Sequence, residues 1–276
     1  MTPVGPAAPI GVFDSGIGGL TVVRELRRCL PNESIIYFGD TARLPYGTKS
    51  AETITRFAVE DADFLLNRGA KLIIVACHSA SSAALPELER RLAVPVLGVI
   101  QPGARAAVAA TVSNRIAVIG TQATVASGAY EQAIRDLRPD VEIIARATPL
   151  FVSLAEEGWL EDDVAEAVAR RYLGGLSAEG VDALLLGCTH FPLLAPVIRR
   201  VMGPEVRLVD SADETARAAA ELLESNGLRN PGPARAPRFY LSDLTPNFQT
   251  IGERFLGEPL EDVLRASVGE RTKIEE

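Results

Sequence analysis

Leu72-Ile73-Ile74-Val75-Ala76-Cys77-His78-Ser79-Ala80-Ser81 is an aliphatic run that ends abruptly in a cysteine, a histidine and small hydroxyls. A second stretch, Ala183-Leu184-Leu185-Leu186-Gly187-Cys188-Thr189-His190-Phe191-Pro192, repeats the arrangement. Short apolar runs without alternation read as strands covered on both faces, the kind found in parallel sheets. The chain has 3 cysteines and 2 histidines, and each histidine lies within two residues of a cysteine. These two strand ends are therefore expected to face each other and to hold the chemistry between them.

Working outward, Ile10-Gly11-Val12-Phe13 predicts another buried strand. The glycine-rich turn Asp14-Ser15-Gly16-Ile17-Gly18-Gly19 follows, then a helix over 20–30 with Arg24, Arg27 and Arg28 on its polar side. Such glycines let the backbone approach a ligand at a helix N-terminus. The spacing is neither a dinucleotide fingerprint nor a Walker loop. Further strands are predicted over 34–38, 72–76, 96–99, 115–120, 141–145, 182–186 and 206–209, with 238–242 the last. Helices are predicted over 50–68 behind the cap Ser50, and over 80–92, 102–111, 151–157, 162–176, 192–202 and 247–256. Two more are expected, one led by Thr124 and running to 137, the other capped by Ser211 and running to 225. Residues 226–237 read as a linker, and 267–276 as a polar tail.

Two halves stand out, each reading strand, helix, strand, helix, strand, cysteine. Alternating strands and helices imply parallel sheets with helices on both faces. The expected fold is α/β: two pseudo-symmetric domains, each a mostly parallel sheet flanked by helices, with the active site in the cleft between them. The domains are expected at 8–101 plus 210–266, carrying Cys77, and at 102–209, carrying Cys188. Ligands of such sheets bind beyond the carboxyl ends of the strands. Asp14, Ser15, Pro45, Tyr46, Gly47, Cys77, His78, Ser79, Thr121, Thr124, Cys188, Thr189 and His190 all fall at or just after those ends.

Composition narrows the function. The 276 residues suffice for two cores, and 47% hydrophobic with 23% charged residues is ordinary for a globular protein. A net charge of −8 argues against a general nucleic-acid partner, which needs a basic face. No apolar run approaches the roughly 18 residues that span a bilayer, so no membrane partner is expected. The first residues do not read as a secretory signal, and the few cysteines suit reduced thiols, so the expected location is the cytoplasm.

Cys77 and Cys188 admit four readings. Both could be buried structural residues. A metal site from Cys77, His78, Cys188 and His190 is disfavoured, because adjacent residues rarely aim at one metal and no CxxC or HxxxH spacing is present. A Cys–His nucleophile uses one cysteine and leaves the other idle. Two-base proton transfer uses both: one group removes a proton from one face of a stereocentre while the other supplies one from the opposite face. A thiol titrates near enough to neutrality to serve as either acid or base. Of the four, only this reading predicts the duplication. Cys29, on the first helix, reads as a buried structural residue.

The segments Ile10 to Val22, Tyr37 to Gly47 and Gly187 to Leu194 resemble the signature segments of glutamate racemases, and Pro149 to Val152 with Glu156-Glu157-Gly158 is similar to a further one. The resemblance implies a cofactor-independent isomerase that interconverts L- and D-glutamate, supplies D-glutamate for peptidoglycan and forms a homodimer. It implies that Cys77 and Cys188 are the proton donor/acceptor pair, assisted by Asp14, Glu156 and His190. It implies a substrate site lined by Asp14, Ser15, Pro45, Tyr46, Gly47, His78, Ser79, Thr121, Thr124, Thr189 and His190. No cofactor or metal is expected. Where the family has Cys-Asn-Thr, this chain has Cys77-His78-Ser79. Serine keeps the hydroxyl. Histidine loses a carboxamide; its ring donates one hydrogen bond, or two when protonated, and a protonated ring would also lower the Cys77 pKa. Alternatively, the ring turns away and leaves that contact to water. Two other readings stay open: a racemase for aspartate or a related acid, and a non-catalytic regulatory binder on the same fold.

Overall fold

A computed structural model describes residues 5–268. Most of the tail expected over 267–276 lies outside the described residues. The strands are β1 Ile10–Asp14, β2 Ile35–Gly39, β3 Leu72–Val75, β4 Val96–Gly98, β5 Arg115–Gly120, β6 Glu142–Ala147, β7 Ala183–Gly187, β8 Arg207–Val209, β9 Arg238–Leu241 and β10 Val263–Arg265. The helices are α1 Leu20–Cys29, α2 Ala51–Leu66, α3 His78–Arg91, α4 Ile100–Ala110, α5 Gln122–Ala126, α6 Ala129–Leu137, α7 Leu150–Glu157, α8 Asp163–Leu173, α9 Ala195–Met202, α10 Ala212–Ser225 and α11 Phe248–Leu256.

The strands form two sheets, ordered β10-β9-β2-β1-β3-β4 and β6-β5-β7-β8. Every pairing is parallel. Set β9 and β10 aside, and the two orders are the same pattern: a first strand between its second and third, with the fourth outside the third. The repeat expected from the two aliphatic runs is thus a repeat of topology. Helices cover both faces because the strands are apolar on both. Ile10, Val12, Leu72 and Ile74 pack with α1, α10 and α11, while Phe13, Ile73 and Val75 pack with α2 and α3. In the second sheet, Ala117, Ile119, Leu184 and Leu186 face α7, α8 and α9, and Ile116, Val118 and Leu185 face α4 and α6. Each fully buried Ile or Leu contributes roughly 1.5–3 kcal/mol.

Several expected boundaries move. Residues 238–242 do not hold the last strand; β10 follows, pairing with β9 at the sheet edge. The helix expected over 80–92 starts at His78, which makes Cys77 its N-cap. The helix expected from Thr124 to 137 is two helices, broken at Gly128, whose φ of 66° is left-handed. Thr121, not Thr124, caps the first of them, accepting a hydrogen bond from the Thr124 amide. The helix expected from 192 begins as a 3-10 turn, Phe191–Leu194, before α9. Ser50 caps α2 as expected. Ser211 stands at the start of α10 but makes no capping bond with its side chain; Asp210 accepts from the Ala212 amide instead. Cys29 is only partly buried, against the α1 side of the first sheet.

Candidate active site

Each parallel strand releases its chain at the same edge of its sheet, so the residues after β1, β3, β5 and β7 gather there. Asp14 ends β1, fully buried. Its Oδ2 accepts a hydrogen bond from the Gly19 amide at 2.9 Å and one from Thr189 Oγ1 at 3.5 Å. Its Oδ1 has no partner among the described residues. Burial raises the Asp14 pKa, against the opposing charge of His190 and the amides of Gly19, Ser15 and Gly16.

Cys77 follows β3, and its Sγ–H points to Ser15 Oγ at 3.6 Å. Burial pushes this thiol up strongly and the Asp14 carboxylate adds to it, only partly countered by the Ala80 amide at the start of α3. Across the site, Cys188 follows β7. Its Sγ lies 3.8 Å from His190 Nδ1, and His190 Nε2 lies 3.1 Å from Glu156 Oε1 on α7. Burial by itself lowers the His190 pKa, but the contacts with Cys188 and Glu156 outweigh it and push the ring up to about 10. The contacts with Cys188 and Glu156 thus favour the protonated ring.

Hydroxyls tie the two strand-end clusters together. Ser79 Oγ on α3 lies 2.9 Å from Thr121 Oγ1 and 3.2 Å from Thr124 Oγ1, and the two threonine oxygens lie 3.0 Å apart. Gly47 packs against Thr121 so closely that a Cβ there would stand 2.5 Å from the Thr121 Cβ. The cavity left between these groups is small, about 20 Å³. Its walls include Ser15, Pro45, Tyr46, Gly47, Cys77, His78, Ser79, Thr121, Cys188, Thr189 and His190. Asp14, Thr124 and Glu156 stand behind the wall and reach it through Thr189, through Ser79 and Thr121, and through His190. Leu44 and Val152 also line the pocket. Both lie inside segments that carry the resemblance, but nothing about an aliphatic residue in a loop or helix marks it as a pocket wall.

Of the readings left open for His78, its surroundings favour the neutral ring. Its ring is buried, with Nε2 3.2 Å from Ser211 Oγ and its plane tilted against Tyr130 at 6.0 Å between centroids. Burial, with the charge on His190, pulls its pKa down to about 3. The doubly donating, protonated ring is therefore absent, and so is its expected influence on Cys77. Ser211 holds His78 rather than the helix end. No cluster of three or more metal-ligating side chains occurs among the described residues. No helix among them is long and apolar enough to cross a membrane.

The Asp/Glu/Hydantoin racemase family model matches residues 10–219, which covers both strand-end cysteines. The chain belongs to that racemase family. It is an amino-acid racemase, an isomerase. The glutamate racemase of Geobacter metallireducens is 53% identical over 264 residues, covering 95% of this chain and 98% of the relative. The crystal structure of glutamate racemase from Francisella tularensis in complex with D-glutamate superposes with a TM-score of 0.90 at 39% identity, covering 96% of this chain and 99% of that one. The glutamate racemase of Thermus thermophilus, in complex with beta-chloro-D-alanine, is 50% identical with a TM-score of 0.84, covering 95% and 98%. The racemase family membership agrees with the expectation drawn from the signature segments, and the α/β architecture with the one drawn from alternating strands and helices.

Proposed function

We propose that the chain interconverts L- and D-glutamate by two-base proton transfer through Cys77 and Cys188, without a cofactor. The observation that carries this reading is the pair of buried thiols in one pocket, delivered by corresponding strands of a repeated unit. Their surroundings are unequal in a useful way. Cys77 lies beside a carboxylate in a dry site, which favours the thiol. Cys188 lies beside the His190 ring, whose protonated form its contacts favour. One thiol and one thiolate are what the reaction needs. The thiolate takes the Cα proton from one face, the carbanion is held briefly, and the opposite thiol delivers its proton to the other face. The reverse reaction exchanges the roles.

Asp14 assists at Cys77, and the His190–Glu156 pair assists at Cys188. Ser15, Ser79, Thr121 and Thr189 supply hydroxyls for the substrate carboxylates, and the Tyr46-Gly47 turn closes the wall. Charge developing next to a carboxylate is stabilised by such fixed donors in a water-poor site. The domains divide at 8–101 plus 210–266 and 102–209, with the pocket as the cleft between them. The product serves peptidoglycan synthesis in the cytoplasm, and the working unit is a homodimer. The names and bound ligands of the similar proteins support glutamate as substrate.

The test is incubation of the reduced protein with L-glutamate in deuterated water. Loss of optical activity with deuterium appearing at Cα is the expected result. Neither change, with thiols verified as reduced, overturns the reading.

A further inference from the structure

Behind the Tyr46 turn lies a cluster of ionisable groups that the proposed chemistry does not use. Asp40 and Asp61 are both fully buried. Arg43 joins them, its Nε donating to Asp40 Oδ2 at 2.5 Å and its Nη2 to Asp61 Oδ1 at 2.9 Å. Its Nη1 reaches Glu60, which is partly exposed. The Tyr46 hydroxyl sits between the carboxyls, in contact with Asp40 Oδ2 and 2.8 Å from Asp61 Oδ2. Ser242 completes the set: its Oγ accepts from the Ala42 amide and so gives its own proton to Asp40 Oδ1 at 2.9 Å.

A proton count decides the state of this cluster. The tyrosine hydroxyl has one proton and two carboxyl oxygens to satisfy. With both carboxyls ionised, one of those contacts would be two oxygens facing each other with no proton between them. Asp40 already accepts from Arg43 and Ser242, which fixes it as the anion. Among the described residues, Asp61 Oδ2 has only the tyrosine oxygen. We infer that Asp61 is a neutral carboxylic acid in the folded protein, donating to Tyr46 Oη, which in turn donates to Asp40. Every contact then holds one proton, and the partly buried Arg43 faces a single buried anion. Burial and the Asp40 charge both act in this direction on Asp61. Of the charged and titratable groups facing it, only Arg43 and the Tyr46 hydrogen bond oppose; Glu60 adds to the rise. Asp61 is thus a positioning residue. It holds Tyr46, and through it the turn whose Gly47 packs on Thr121 at the pocket wall.

The experiment contrasts Asp61→Asn, Asp61→Ala and Asp40→Asn in the full chain. An asparagine at 61 copies the neutral acid, with its NH₂ toward Tyr46 and its oxygen toward Arg43. Asp61→Asn is expected to fold and to keep the parent kcat/KM for glutamate racemisation. Asp61→Ala and Asp40→Asn are expected to lose about 10²-fold, the scale of a displaced pocket wall. That readout rests on the glutamate reading above, so two others stand apart from it. The infrared spectrum of the parent at neutral pH should contain a protonated-carboxyl band that moves in deuterated water and is missing in Asp61→Asn. The folding constant of the parent relative to Asp61→Asn should fall about tenfold per pH unit as pH rises above the ordinary carboxylate range, because the folded state keeps a proton that the unfolded chain releases. An Asp61→Asn protein that fails to fold, a missing band difference, or a flat stability difference overturns the inference. A parent inactive on glutamate leaves the infrared and stability tests to decide it.

Discussion

His190 reaches Glu156 with one ring nitrogen and Cys188 with the other, at 3.1 Å and 3.8 Å. The two contacts make the imidazole a charged link between a partly exposed carboxylate and a buried thiol. Glu156→Gln should remove much of what keeps the ring charged up to about pH 10. The alkaline limb of kcat/KM for racemisation should then move to lower pH, while the acid limb stays in place. A pH–rate profile of the variant checks this; an unmoved limb would separate the pair from catalysis. Stability follows the same sign. The folded pKa of His190 lies above its ordinary value near 6.5, so its contribution is complete below that value and is lost as pH rises through about 10.

Replacing either strand-end cysteine should stop racemisation in both directions. Under the proposed scheme, Cys77→Ala and Cys188→Ala each remove one acid–base group, and such groups contribute about 10²–10⁴-fold. Polarimetry starting from each enantiomer in turn measures the loss. Full activity in either variant would rule out the two-base scheme.

His78 is neutral across the working pH range, its pKa lying near 3. His78→Asn should therefore leave the pH dependence of kcat/KM as it is, whatever happens to KM. The disappearance of a limb near neutrality in this variant would mean that the ring titrates during turnover.

Lys71 is buried with its ammonium 2.5 Å from Glu33 and 2.8 Å from the Leu228 carbonyl. It ties the linker before β9 to the start of β3. Lys71→Met leaves the Glu33 carboxylate buried without its cation, a loss of about 3–5 kcal/mol. Urea denaturation of the variant measures it. Replacing Glu33 as well, by leucine, should recover a large part of the loss.

Much of this was legible in the chain, for definite reasons. Aliphatic runs such as 72–75 and 183–186 are apolar at every position, which only a strand covered on both faces requires. Their abrupt ends located the pocket. What escaped depends on three-dimensional neighbours. The strand β10 is three residues long and half exposed, so its pattern is no stronger than that of a loop. Ser211 has the sequence of a helix cap, and only the fold brings His78 to its hydroxyl. The state of His78 depends on burial and on the charge of a residue 112 positions away, neither of which a local motif carries. Thr121 and Thr124 could not be told apart as cap and partner, because both are threonines one helical turn apart.

The repeated strand order places two thiols in corresponding positions, yet a carboxylate backs one and an imidazolium the other. The free energies of two enantiomers in water are identical, so the equilibrium constant of a racemisation is unity. The Haldane relation then forces kcat/KM to be the same in the two directions, however unlike the two sides of the pocket are. The asymmetry can appear only as compensating differences in kcat and KM taken separately. A ratio of kcat/KM values other than unity would therefore point to error in the assay, not to a preference of the protein.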